Sequence, residues 1–173
     1  MASVQEIAKM LDHSLLKPEL TVEQVTAGCR LARRYGVAAV SVRPSGLTRA
    51  KGELEGSGVL PATVIGFPHG ANRTDLKARE AELAIRDGAR ELDMVLNIGR
   101  LLSGDFGYVE GDVRAVVETA HAYGVIVKVI FENCYLTDEL KVAACGISER
   151  RVRTSSRTPR GSGPAPPSSP TSF

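Results

Sequence analysis

Tryptophan is absent from this 173-residue sequence, and cysteine is scarce: Cys29, Cys134 and Cys145 stand far apart with no CxxC pair. An odd, scattered set gives neither a disulfide framework nor a zinc ribbon and fits a reducing compartment, so a cytoplasmic location is expected. No apolar run is long enough to cross a bilayer, and the opening "MASVQEIAKMLDHS" carries acidic residues and no signal-peptide pattern. No GxGxxG or GxxxxGKS/T follows the early strand-like runs, which leaves dinucleotide-binding and P-loop readings without support. A strong charge of one sign is also missing. The net charge of +2 comes from Arg150, Arg151, Arg153, Arg157 and Arg160 near the C-terminus, and the remainder is slightly acidic. Neither a nucleic-acid partner nor a membrane partner is therefore expected.

What is present is ordinary globular composition, 43% hydrophobic and 24% charged, in a chain long enough for one domain with a sizeable core. Up to about residue 147, β-like runs alternate with amphipathic helical segments. "TVEQVTAGCRLARRYG" begins with Thr21 and Glu23 and closes on Gly36, a helix between recognisable ends. The strand "VAAVSVRP" follows, then helix "GLTRAKGELEGSG", strand "LPATVIGFP", helix "TDLKAREAELAIRDG" and strand "RELDMVLNIG". Helix "GYVEGDVRAVVETAHAYG", strand "VIVKVIFE" and helix "TDELKVAACGISE", with Thr137 as N-cap, complete the series. Such alternation predicts βαβ units and a parallel sheet, either covered on both faces or closed into a barrel. From Arg150 to Phe173 the periodicity gives way to Arg, Pro, Ser and Gly, so 1–149 is read as the folded domain and 150–173 as a disordered tail.

Two mid-strand charges stand out. Asp93 interrupts the apolar residues Leu92, Met94, Leu96 and Ile98, and Lys128 sits between Val127 and Val129. A carboxylate in a short hydrophobic strand is costly unless compensated. If the large aliphatics face the helices, Asp93, Asn97, Lys128 and Glu132 face the lumen of a barrel. A structural ion pair is one reading, and a catalytic pair with shifted pKa values is the other. Ser41 can face the lumen too, although small polar residues there are usually fillers. Asp12, His13 and Ser14 read alone as a helix cap. His69 reads as a loop residue, and no cluster of ligands calls for a metal.

Three stretches, "LDHSLLKPELT", "TVIGFPHGANRTDLKAREAELAIRDGARELDMVLNIG" and "VIVKVIFENCYLTDEL", together resemble the deoxyribose-phosphate aldolases, a class I aldolase family. The resemblance runs from residue 5 to about 148. It implies a (β/α)8 barrel, here about five βα units of it, that cleaves 2-deoxyribose 5-phosphate to acetaldehyde and glyceraldehyde 3-phosphate through a lysine Schiff base, without metal or cofactor. The implied partner is a phosphorylated sugar, and homo-oligomerisation is compatible with it. By the same resemblance Asp93 matches the proton-relay aspartate of the "E-I/L-D-M-V" strand, and Lys128, with Asp12 and Ser41, belongs to the substrate pocket.

The resemblance also implies features that this sequence does not contain. The Schiff-base lysine belongs in a motif like "ADFVKTSTGFG" on a sixth strand, and residues 150–173 hold no lysine. A second lysine, in a "GFKPAGG"-like motif, and the phosphate-binding loops are missing as well. In a shifted reading frame, however, the codons open to residues 150–168 can spell "AGADFVKNSTGFGPGATV". The expectation is a frameshift near residue 149 and a chain without aldolase activity. The competing expectation is a non-catalytic barrel fragment with a binding or regulatory role, and a sugar-phosphate epimerase is a weaker third.

Overall fold

The computed structural model describes residues 2–154. Five strands, β1 (Asp12–Leu15), β2 (Ala39–Val42), β3 (Leu60–Ile65), β4 (Glu91–Val95) and β5 (Ile126–Ile130), form one parallel sheet in the order of the chain. Between and around them lie helices α1 (Val4–Ala8), α2 (Val22–Tyr35), α3 (Leu47–Leu54), α4 (Thr74–Asp87), α5 (Ile98–Leu102), α6 (Phe106–His121) and α7 (Asp138–Thr154).

Local chemistry sets the helix ends. Thr21 caps α2 by accepting from the Gln24 amide while the Gln24 side chain accepts from the Thr21 amide, so the capping partner is Gln24 rather than Glu23. The helix ends on Gly36 at φ 62°, a left-handed conformation that glycine adopts without strain. Thr137 accepts from the Leu140 amide at the start of α7, as its sequence predicts. That helix continues past Glu149 to Thr154, and 155–173 lie outside the described residues. The elements that the pattern of the sequence does not reveal, α1, β1 and α5, have four or five residues each, and the start of α1 is marked only by the Ser3–Glu6 capping box. Asp12, His13 and Ser14 are accordingly strand residues and not a helix cap.

Strand order distinguishes the two architectures left open by the sequence. A doubly wound sheet reverses direction at a switch point, whereas here each strand pairs with the next, β1 through β5, as in a barrel. Consecutive helices touch along the row α2–α3–α4–α6–α7, which makes one outer layer. The core lies between that layer and the outward side chains of the strands, among them Val40, Val42, Leu92, Met94 and Val127. Curvature is shown by one contact. Four inter-strand spacings would separate β1 from β5 by about 19 Å in a flat sheet, yet the Lys128 Nζ lies 2.6 Å from Asp12 Oδ2. The sheet therefore curls through part of a barrel wall and encloses a lumen. No helix among the described residues is long and apolar enough to cross a membrane.

Candidate active site

The lumen gathers polar residues from four strands. β4 and β5 pair with Asp93 opposite Lys128, so the two expected charges are direct neighbours on the inner face. The Lys128 Nζ lies 2.6 Å from Asp12 Oδ2, 2.9 Å from Glu91 Oε1 and 4.0 Å from Asp93 Oδ1. Across β3, the Ser41 hydroxyl donates to Asp93 Oδ2 at 2.9 Å. That bond spans an intervening strand, and it is possible because the sheet curls and the residue beside Ser41 on β3 is the small Ala62.

Burial and charge then set the proton affinities. The Asp93 side chain is only 14% exposed, and burial raises its carboxyl above the ordinary range, against the opposing pull of the Ser41 hydroxyl and the Lys128 charge. Burial pulls on Lys128 in the opposite direction, but hydrogen bonds to Asp12 and Glu91 and the nearby Asp93 charge outweigh it, and its pKa is raised. The two side chains thus suit different tasks. Asp93 holds its proton more readily than an ordinary aspartate and can exchange it with a reacting group. Lys128 stays an ammonium, a hydrogen-bond donor and a fixed charge, and a poor nucleophile.

The structure brings Asp93, Lys128, Asp12 and Ser41 together, and it adds Glu91. The signal for Glu91 was present, since it stands two residues before Asp93 and shares its face. Its place at the start of the strand, next to Arg90, gives it the look of a surface residue, yet its side chain is only 8% exposed. Two other lumen candidates are corrected. Asn97 lies beyond the end of β4 and caps α5, accepting from the Arg100 amide. Glu132 lies beyond β5 with φ 54°, so strand alternation no longer governs it, and its exposed carboxylate accepts from the Cys134 thiol. Alternation holds only while the backbone remains extended. His69 is an exposed loop residue. Among the described residues no group of His, Cys, Asp or Glu could hold a metal ion.

The chain matches the model of the DeoC/LacD family aldolases over residues 4–159. A deoxyribose-phosphate aldolase from Rhodopirellula baltica is 49% identical over 142 residues, which are 82% of this chain and 59% of that protein. One from Aciduliprofundum boonei is 44% identical over 161 residues, 93% of this chain and 72% of the relative. Among solved structures, the tetrameric deoxyribose phosphate aldolase from Aeropyrum pernix superimposes with a TM-score of 0.79 at 33% identity, covering 86% of this chain and 62% of that one. The chain thus spans about three fifths of the length of several proteins that it matches.

Proposed function

The chain belongs to the DeoC/LacD aldolase family, and from that premise we propose that its lumen is the site of deoxyribose-phosphate aldol chemistry. The reaction is the reversible cleavage of 2-deoxy-D-ribose 5-phosphate to acetaldehyde and D-glyceraldehyde 3-phosphate. The observation that carries the proposal is the polar cluster itself: a buried, proton-retentive Asp93 held by Ser41 beside a Lys128 ammonium.

In a class I aldolase a neutral lysine attacks the substrate carbonyl to form a carbinolamine, which loses water to become an imine. Loss of that water needs a proton on the departing oxygen, and hydrolysis of the imine needs the proton removed from incoming water. Asp93 serves both directions, donating in the first and accepting in the second. Ser41 orients the carboxyl, and the Lys128 charge stabilises it when ionised. Asp12 and Glu91 hold Lys128 in place from the other side. Lys128 is not the nucleophile, because three carboxylates keep it protonated.

For the sequence as it stands, the proposal includes inactivity. No lysine occurs in residues 150–173, and the codons open to that segment can spell the lysine-bearing motif in a shifted frame. A chain of this kind retains a polar pocket without a nucleophile, which is the reading as a binding or regulatory fragment. Purified 1–173 should show no cleavage of deoxyribose 5-phosphate and no borohydride-trapped imine, and the frame-restored protein should show both. Activity of 1–173 that is lost in Lys128→Ala would make Lys128 the nucleophile and overturn the assignment. DNA sequencing that finds no such motif in the shifted frame would remove the frameshift. Self-association is proposed by analogy with the tetrameric relative, and light scattering of the purified chain tests it.

A further inference from the structure

On the opposite face of β4 lies a second lysine–carboxylate pair that the proposed chemistry does not use. Lys77 of α4 and Asp112 of α6 are both wholly buried, and the Lys77 Nζ lies 2.5 Å from Asp112 Oδ2. The same ammonium donates to the Val95 carbonyl at 3.0 Å. This carbonyl is exceptional for its place in the sheet. In a parallel ladder the polar groups of one residue point to one neighbour and those of the next residue to the other. The Leu96 amide donates to Ile130 of the β5 side, so the Val95 carbonyl faces the β3 side. There β3 has already left the sheet: Gly66 turns away at φ 65°, and its amide donates to Glu80 of α4. The lysine enters the opening and supplies the missing donor. A Cβ at Gly66 would come within 2.7 Å of the Lys77 Cε, so glycine both turns the strand and leaves the lysine its path.

From this geometry we propose that Lys77 and Asp112 are positioning residues for Asp93, fixing the C-terminal end of β4 so that the carboxyl two residues earlier stays in register with Ser41 and Lys128. The inference rests on Asp93 being the proton-transfer group. Stability alone is a weak explanation, because a buried pair can often be exchanged for apolar residues without loss. Asp112 Oδ1 is also buried with no hydrogen-bond partner among the described residues, an arrangement that packing alone would not select. The second grip on this strand end is steric: a Cβ at Gly70 would meet the Leu96 carbonyl at 1.8 Å, so the loop after β3 lies directly on the residue following β4.

The test reads the placement of Asp93 in the 173-residue chain by carboxyl-carbon NMR titration, with amide hydrogen exchange at Leu96. It involves no turnover, so its result is independent of whether the chain is an aldolase. Lys77→Met and Asp112→Asn are each expected to raise the Asp93 titration midpoint further above that of an ordinary aspartate, because the Ser41 hydroxyl and the Lys128 charge that hold it down move out of register. Both are also expected to speed Leu96 exchange at least tenfold relative to amides of α2. A residue with a merely structural role would lower the melting temperature and leave the Asp93 midpoint in place, and that outcome in both variants overturns the proposal. Should neither variant fold, Leu96 exchange in the unaltered protein decides: protection equal to that of β2 supports the clamp, and protection no better than that of the exposed loop at His69 overturns it.

Discussion

Two lysine–carboxylate sites stand on opposite faces of β4, and they differ in almost every physical respect. On the helix side, Lys77 is wholly buried and meets a single carboxylate, Asp112, and one backbone carbonyl. On the lumen side, Lys128 is 39% exposed and shared among Asp12, Glu91 and Asp93. A sealed one-to-one pair has one geometry, which suits holding a strand. An open ammonium among three carboxylates leaves excess negative charge and a proton-retentive Asp93 next to solvent, which suits handling protons. The difference teaches that buried charge is read by its company. Partner number and access separate a clamp from a reactive site more clearly than burial does.

The comparison breaks most visibly in stability. Asp112→Ala should lower the unfolding free energy by about 3–5 kcal/mol in urea titration, because it leaves the buried Lys77 ammonium uncompensated. A loss below about 1 kcal/mol would mean that the interior is not sealed. The next effect belongs to the lumen and to catalysis. In the frame-restored enzyme, Asp93→Asn should reduce turnover by roughly a hundredfold or more, the scale of a lost general acid–base. Near-normal turnover would remove Asp93 from the mechanism. Lys128→Met should lower stability by less than Asp112→Ala, because the ammonium and its Asp12 partner are partly exposed and screened by solvent, although Glu91 and Asp93 lose their counter-charge. A loss as large as that of Asp112→Ala would make the two sites alike.

The smallest effect is a slope with pH. Asp93 has a carboxyl pKa raised chiefly by burial, so the folded chain holds this proton more tightly than the unfolded chain. Its contribution to stability is complete below the ordinary aspartate value and is lost as pH rises through the raised, folded value. Urea midpoints measured across that window should fall with rising pH, and Asp93→Asn should flatten the change. Lys128 acts at the alkaline end in the same sense, since its raised pKa gives stability that is lost as pH rises through the folded value. An unchanged slope in Asp93→Asn would assign the acid-side effect to other groups.

The sequence was legible wherever a repeating pattern had room to show itself. Helices of 14 residues or more and strands bearing β-branched runs were identifiable, with Gly36, Gly88 and Thr137 marking ends. Asp93 and Lys128 were legible because a charge between aliphatics in a strand is expensive and therefore informative. Asn97 and Glu132 were misplaced for a single reason: alternation was extended past points where β4 and β5 had stopped being strands.

The sequence by itself determined the alternation of strands and helices, the apolar faces that drive them together, and the inward charges of Asp93 and Lys128. These follow from side-chain period and hydrophobicity, properties of neighbouring residues. Only the tertiary structure decided that Asp12 closes on Lys128 across 116 positions, that Ser41 reaches Asp93 over β3, and that Lys77 fills the opening left at Gly66. Such contacts depend on the curl of the sheet and on where a neighbouring strand turns away. Sheet twist and strand length set both, and no local pattern of side chains records them.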